Sequence, residues 1–307
     1  MLTRRKVNGI ILCAGAVLSR TEIEREIMLS VEQVADHILA MSPYGCLSNR
    51  ELQKMLYFAQ GFHLATKGEP LFADTMYAWD FGPVSLTIWH KFKAFGYSSI
   101  TPPPKEKLAP LTGDIAAFLS TIVIAFGTFN QGQLIEMTHA DTPWASSYIP
   151  QTNKVLEKDT LRNYFSSFAS LDEYLLFARE KLAFHDLVAQ RSHYLRELHL
   201  IGNDWISGKS VAPSVEVCNL ARRFIGGLER FIFASGPKPE VPKLILGPVP
   251  SGGVGLEFKS TKSALYVQLH NSGLVEVDVE KNGKFDGIEI SVPEFEEDLT
   301  PYYKELV

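Results

Sequence analysis

The hydrophobic pattern of this chain changes its period once, and that change limits the fold more than any other feature. Between Ser30 and about Leu200 apolar residues recur at helical spacing. After the Pro/Gly-rich stretch 236–253 they alternate with polar residues, as in half-buried strands. A helical region followed by alternating strands is typical of an α+β protein. We therefore predict a mainly α-helical N-terminal domain followed by a smaller domain with a helix and an antiparallel sheet.

The composition also shifts near Gly202, where a loop containing Trp205, Gly208 and Pro213 begins. A chain of 307 residues is long enough for two hydrophobic cores. We predict a helical domain at 29–200 and an α+β domain at 203–307.

Residues 1–28 are predicted to be an extension that is not native or is disordered. Basic residues at 4–6 precede a short apolar run at 10–18, which superficially resembles a signal peptide. No small-residue cleavage site follows, so a start codon placed too far upstream or a loose extension is favoured over export. No apolar run reaches the roughly 18–20 residues that cross a bilayer, and we predict a cytoplasmic protein without membrane contact.

Capping residues predict where several helices begin. Ser30 is expected to cap a helix that ends at Met41. Ser48 with Glu51 forms a capping box that opens a helix from Asn49 to about Lys67, which Gly68 and Pro70 are expected to end. Further helices are predicted at 84–95, 114–129, 131–138, 171–198 and 214–231, with an extended segment at 76–81 and a turn at Gly82-Pro83. Strands are predicted at 254–258, 264–270, 274–280 and 287–292, with a turn at Asn282-Gly283 between the last two, and the acidic tail at 294–298 is interpreted as an exposed segment.

Signatures of catalysis are missing from the sequence. There is no phosphate-binding loop, no GxSxG elbow and no HExxH zinc helix, and we predict no catalytic residue, metal or cofactor. Cys13, Cys46 and Cys218 lie far apart without metal-ligand spacing, so Cys46 and Cys218 are interpreted as small buried residues. His139, with Asp141 nearby, is the one candidate for a catalytic residue if the protein is an enzyme. A structural role for His139 at a helix end is favoured.

The charge balance argues against nucleic acid as a partner. The net charge is −5, whereas nucleic-acid-binding surfaces are usually basic. Tyr77 and Trp79 are interpreted as packing residues, because too few basic residues lie near them in sequence to form a stacking platform. A DNA-binding autoregulator remains a third alternative, since helices within 114–138 imitate a helix-turn-helix.

Three segments together carry a resemblance to a known family. They are LQKMLYFAQGFHLATKGEPLF at 52–72, YAWDFGPVSLTIWHKFKAFG at 77–96 and EMTHADTPWASSY at 136–148. In order and spacing they closely resemble the Panacea domain, also called the SocA-like or phage-associated GepA-like antitoxin domain, over about 29–148. Residues 203–307 weakly resemble a small α+β bacterial domain of unknown function.

The resemblance implies an antitoxin of a bacterial or prophage toxin–antitoxin system with a role in phage defence. Its partner would be a cognate toxin that blocks translation and is encoded by an adjacent gene. The antitoxin would neutralise this toxin by direct binding. The alternative within the same class is an adaptor that delivers the toxin to a protease, and self-association is a further possible contact.

The resemblance also marks a set of motif residues that either build the scaffold or bind the partner, with the scaffold favoured. Polar groups on a mostly apolar helix must be hydrogen-bonded if they are buried, so the polar members of the first segment are expected to hold the Gly-Pro-Val turn against that helix. The motif residues are Leu52, Gln53, Lys54, Tyr57, Gln60, Trp79, Gly82, Pro83, Val84, Thr138, His139, Pro143 and Trp144.

Overall fold

The computed structural model describes residues 12–13, 16–17, 28–42, 47–206, 208–235 and 238–306. Strands β1 (Leu12–Cys13) and β2 (Ala16–Val17) form a short antiparallel pair. Most of the predicted N-terminal extension, and Cys46, lie outside the described residues. The fold is α+β, as predicted from the change of hydrophobic period.

Contacts between residues divide the chain into two compact units. The first comprises Met1–Thr138 with Ser147–Ser167, and the second His139–Ser146 with Phe168–Val307. This division differs from the sequence-based boundary near Gly202. The helix at 171–197 groups with the C-terminal sheet because its buried Phe184 and Val188 belong to the hydrophobic core of that unit.

The first unit contains most of the helices and a small sheet. Its helices are α1 (Val31–Met41), α2 (Asn49–Lys67), α3 (Leu86–Phe92), α4 (Gly113–Phe126), the greater part of α5 (Gln131–Ala140) and α7 (Lys158–Phe165); α6 (Thr142–Ser147) belongs mainly to the second unit. Its strands β3 (Met76–Trp79), β4 (Gly82–Ser85) and β5 (Lys154–Leu156) form an antiparallel sheet in the order β4-β3-β5. Two 3₁₀ turns lie at Lys93–Phe95 and Lys105–Lys107.

Helix α2 is the central element of the first unit. The predicted capping box is present, because the side chain of Ser48 accepts from the Glu51 N–H while the Glu51 carboxylate accepts from the Ser48 N–H. Gly68 ends the helix in the left-handed conformation, with φ +75°. Every residue from Leu52 to Leu64 is buried, since α1, α3, α4, α7 and β4 all pack against the helix.

The segment after Gly82 differs from its prediction. A helix was expected at 84–95, but Gly82–Ser85 is strand β4, which pairs with β3 so that Trp79 lies opposite Gly82. The two residues between them form a tight hairpin, and Pro83 is tolerated because β4 is an edge strand of this sheet. The helix begins only at Leu86, where the Ser85 hydroxyl caps it by accepting from the Ile88 N–H.

The second unit is built on a five-stranded antiparallel sheet with one long helix packed on it. Helix α9 (Val215–Ala234), capped by Ser214, contacts the central strands; the other helices are α8 (Leu171–Glu197), α10 (Val292–Glu297) and α11 (Thr300–Lys304), with a 3₁₀ turn at Leu198–Ile201. The strands β6 (Lys243–Pro248), β7 (Gly253–Lys259), β8 (Ser263–His270), β9 (Leu274–Lys281) and β10 (Lys284–Ser291) pair in sequence order.

Two parts of the second unit differ from prediction. Strand β6 lies inside a stretch interpreted as a loop, because its flanking prolines mask the strand pattern; as an edge strand it tolerates them. The acidic tail, expected to be an exposed segment, is helical at α10 and α11. There the capping box of Ser291 and Glu294 opens α10, and Phe295 and Tyr303 are buried.

Among the described residues, no single helix is long and apolar enough to cross a membrane. Helices α4 and α5 meet the length and composition criterion only when taken together, across a bend of 104°.

Candidate functional site

The amide of Gln53 binds the backbone of strand β4. Its Nε2 donates to the carbonyl oxygen of Ser85 at 3.2 Å, and its Oε1 accepts from the Ser85 N–H at 2.8 Å. Both residues are buried, so this pair of bonds satisfies an amide and a peptide group that water cannot reach. Gln53 therefore holds β4 against the central helix.

Lys54, the next residue on the helix, binds the same strand. Its Nζ donates to the carbonyl oxygen of Pro83 at 3.2 Å, and the side chain is only 1% exposed. Burial, together with the nearby positive charge of Arg50, lowers the pKa of Lys54 to about 7. Within the part of the chain that the structure describes, no carboxylate lies within ion-pair distance of this ammonium group. Lys54 is thus a buried amine held by a single hydrogen bond.

Gly82 is required where Lys54 and the end of α5 approach the hairpin. Its φ is +91°, a conformation that residues with a Cβ rarely adopt. A Cβ at this position would lie 2.6 Å from Lys54 Cε and 2.6 Å from the hydroxyl oxygen of Thr138. Thr138 is fully buried, and its hydroxyl donates to the Ile135 carbonyl at 2.8 Å. The Lys-x-x-Tyr helix, the Gly-Pro-Val strand and the threonine thus meet at one glycine.

Gln60 was expected to contact the Gly-Pro-Val segment, but it binds a different part of the chain. Its Oε1 accepts from the N–H groups of Leu71 and Phe72, and its Nε2 donates to the Phe72 carbonyl at 2.9 Å. Gln60 lies seven residues after Gln53, two helical turns along α2, so it reaches the chain that follows the helix instead. Leu52 and Tyr57 are buried, and the Tyr57 ring packs edge-on against Phe165.

The Thr-His…Pro-Trp segment divides between the two units. Thr138 belongs to the first, whereas His139, Pro143 and Trp144 belong to the second. The His139 ring stacks on the Trp144 indole at a centroid distance of 3.9 Å, and Pro143 and Trp144 are buried.

Asp141 and Lys181 form a buried polar cluster in the second unit. Asp141 accepts from the Tyr174 hydroxyl at 3.0 Å, and the Lys181 ammonium donates to the Ala140 carbonyl. Burial lowers the pKa of Lys181 to about 8, although the neighbouring Asp141 opposes that shift. The contacts of Asp141 thus tie the segment after α5 to helix α8.

An open groove lies on the first unit beside Lys54, and we call it the aromatic groove. Its volume is about 630 Å³, within the range of ligand-binding clefts. The residues that define it are Arg50, Lys54, Trp79, Phe81, Trp89, Lys93 and Tyr97.

Cations and rings alternate along this groove. The Arg50 guanidinium lies 4.0 Å from the centre of the Phe81 ring and 4.7 Å from that of Tyr97. The Lys93 ammonium lies 5.2 Å from the Trp89 ring, which packs edge-on against Trp79. These are cation–π distances, so the rings help to orient the charges.

One carboxylate, that of Asp80, also lines the groove, and it already has a partner. Asp80 accepts from the Tyr148 hydroxyl at 2.9 Å, and that hydrogen bond raises the pKa of Tyr148. On the same wall the Trp79 indole N–H donates to Asn153 at 2.8 Å. The charge that remains available to a ligand is therefore positive.

Sequence reasoning missed this groove. Trp79 was interpreted as lacking basic neighbours, but Arg50 and Lys54 line the same groove from a helix nearly 30 residues upstream. The pair Trp89 and Lys93, four apart on a helix with its 3₁₀ extension, was the local signal that could have indicated it.

The structure also bears on the other predicted sites. Cys218 is buried, as predicted. Among the described residues, no group of three or more His, Cys, Asp or Glu side chains is arranged to hold a metal ion.

Comparison with known proteins gives two matches to the same family. Residues 52–145 match the family described as antitoxin SocA-like, Panacea domain. The chain is 31% identical over 115 residues to Antitoxin SocA of Caulobacter vibrioides (strain NA1000 / CB15N), an alignment that covers 32% of this chain and 58% of that relative. The chain thus spans somewhat over half the length of the curated relative it matches. No solved structure matches the chain. Residues 52–145, which contain most of the central helix, the β3–β4 hairpin and the groove residues from Lys54 to Tyr97, are thus similar to the SocA-like Panacea domain.

Proposed function

We propose that this protein is an antitoxin that neutralises a cognate toxin by direct protein–protein binding in the cytoplasm. The observation that carries the proposal is the match of residues 52–145 to the SocA-like antitoxin family, together with the 31% identity to Antitoxin SocA over 115 residues. The toxin would be the product of a neighbouring gene that blocks translation, and the antitoxin would act without catalysis.

The arrangement of the motif residues supports a binding scaffold. Gln53 uses both polar atoms of its amide on the backbone of β4, whereas Lys54 uses one of its three N–H donors there, and Gly82 has no room for a side chain. Residues that are buried and internally hydrogen-bonded position a surface instead of forming it. Partner contact is therefore proposed for the side chains that line the surface around them.

The test is coexpression of this chain with the product of the adjacent gene. We expect growth to be rescued and the two proteins to copurify at fixed stoichiometry. If the neighbour is harmless, or if it is toxic but neither rescued nor bound, the antitoxin proposal is wrong.

The same experiment separates binding from delivery to a protease. An antitoxin that blocks its toxin leaves the toxin at an undiminished level inside the complex. An adaptor lowers the level of the toxin, and a protease-deficient host restores it. An enzymatic antitoxin predicts a third result, in which His139→Ala keeps the complex and the fold but loses rescue.

A further inference from the structure

We propose that the aromatic groove is the docking site for an acidic segment of the toxin, so that a carboxylate of the partner meets Lys54 and Arg50. This inference rests on the proposed antitoxin function and names the surface that carries it out. Its basis is the charge, exposure and chemical composition of the groove.

The charges in the groove favour an acidic partner. Arg50, Lys54 and Lys93 face the groove, and the carboxylate of Asp80 is already hydrogen-bonded to Tyr148. The chain as a whole carries a net charge of −5, so this cationic groove is a local exception and not part of a basic surface. Opposite charges across an interface select the partner and speed its association.

Lys54 has hydrogen-bonding capacity that its contact with Pro83 does not use. An ammonium group has three N–H donors, and Lys54 uses one of them on Pro83. Buried cations are normally paired with a carboxylate, and the described part of the chain does not provide one here. A carboxylate that enters the groove would complete the pairing and keep the lysine protonated.

Large aromatic rings are exposed at the rim of the groove. Phe81 is 52% exposed and Tyr97 is 80% exposed, with the Arg50 guanidinium between them. Arg, Trp and Tyr are the residues most enriched at the energetic centres of protein interfaces. An extended acidic peptide with an apolar neighbour to its carboxylate matches this combination.

A nucleic acid is disfavoured as the occupant. Phosphate backbones require a run of cations that tracks several nucleotides, whereas the described residues of this groove supply Arg50, Lys93 and the buried amine of Lys54 beside the carboxylate of Asp80. The volume of about 630 Å³ holds a few side chains of a peptide.

The test uses charge reversal at the groove against a matched reversal elsewhere on the same unit. Arg50→Glu/Lys93→Glu places two negative charges in the groove, and Lys105→Glu/Lys107→Glu makes the same change on an exposed 3₁₀ turn that does not line it. Arg50 lies in the first turn of α2, where a glutamate is favoured by the helix dipole, so the groove variant should fold. Circular dichroism and thermal unfolding verify that each variant is folded.

Affinity for the toxin, measured by titration calorimetry with the product of the adjacent gene, should fall about 100-fold for the groove variant and less than about 3-fold for the control. Phe81→Ala/Tyr97→Ala should weaken binding about 10-fold or more without changing its salt dependence. Rescue of growth should follow the same order.

The outcomes separate the two proposals. If the wild-type chain does not bind the toxin, both proposals fail. If the wild type binds and the folded groove variant binds equally well, the groove proposal is overturned while the antitoxin function stands. Equal loss in the groove and control variants would show a general charge effect and overturn the groove as the site. Binding of a 20-nucleotide RNA that the groove variant abolishes, while toxin binding persists, would overturn it as well.

Discussion

Helices α2 and α9 are nearly equal in length and both lie at the centre of their units, but they are buried in different ways. The buried residues of α9 are all apolar and lie on one side, in the core that α9 shares with the sheet and helix α8. Helix α2 is buried on all sides, and its buried set includes Asn49, Gln53, Lys54, Gln60 and His63. Where an edge strand and the chain at 69–72 contact α2, they present backbone groups that lack other partners, and polar side chains of the helix satisfy them. The first unit is thus specified by hydrogen bonds to loops and edges, the second mainly by packing.

The largest loss is expected in the core of the second unit. Phe224 is fully buried among Phe258, Phe295 and Tyr303. Phe224→Ala should lower the free energy of unfolding by about 4 kcal/mol, since it removes buried apolar surface and leaves a cavity. Urea unfolding measures the change. Phe285→Ala, at a residue 67% exposed, should cost less than about 0.5 kcal/mol; similar losses at both sites would contradict a packed core.

The next largest loss of stability is expected at Gly82 of the first unit. Gly82→Ala should cost about 3 kcal/mol, because it combines an unfavourable φ with overlap against Lys54 and Thr138. Gly68→Ala is the control, since Gly68 has φ +75° and open space around it, and should cost about 1 kcal/mol. Equal losses, measured by urea unfolding, would show that the close approach contributes nothing.

Removal of the Gln53 amide tests the hydrogen-bonded design of the first unit. Gln53→Leu keeps the volume but leaves the buried N–H and carbonyl of Ser85 without these partners. We expect a loss of about 2 kcal/mol in the free energy of unfolding. Faster hydrogen exchange at the Ser85 amide, with no change at amides of α9, would locate the effect. If Gln53→Leu leaves the free energy of unfolding unchanged, packing alone holds β4.

The smallest expected effect is on the pH dependence of the free energy of unfolding, in which the two buried lysines should differ. The pKa of Lys54 is lowered to about 7 in the folded protein, whereas an unfolded lysine titrates near 10.5. Between those values the unfolded chain binds more protons, so stability rises with pH across this window. From pH 7 to pH 8 Lys54 should contribute about 1 kcal/mol to the rise, and Lys54→Met should remove it.

Lys181, whose pKa is lowered only to about 8 and which lies near Asp141, should contribute less over the same interval. Urea unfolding of Lys54→Met and Lys181→Met at the two pH values measures both increments. If the free energy of unfolding rises by the same amount from pH 7 to pH 8 in Lys54→Met as in the wild type, Lys54 is charged in the folded protein. The expected difference between the two buried lysines is then wrong.

Local chemistry made the regular elements predictable. Ser48 with Glu51 predicted the start of α2, and Gly68 its end. Asn282 and Gly283 predicted the tight turn between β9 and β10, and both adopt positive φ. The strand β4 was not predictable in this way, because Gly82-Pro83 is equally compatible with a turn into a helix and the pairing with β3 decided between them.

The sequence by itself determined the α+β class, the limits of the central helix and the family resemblance, since capping, periodicity and motif spacing act over a few residues. The aromatic groove was decided only by tertiary structure. Arg50 and Lys54 come from α2, Lys93 and two of the rings from the segment at 89–97, and the other two rings from the β3–β4 hairpin. The Asp80 carboxylate in the groove is bound by a tyrosine 68 residues away. Strand β3 also pairs with β5, far along the chain, where Tyr77 lies opposite Val155. Such convergence depends on long-range packing, which no local pattern of residues encodes.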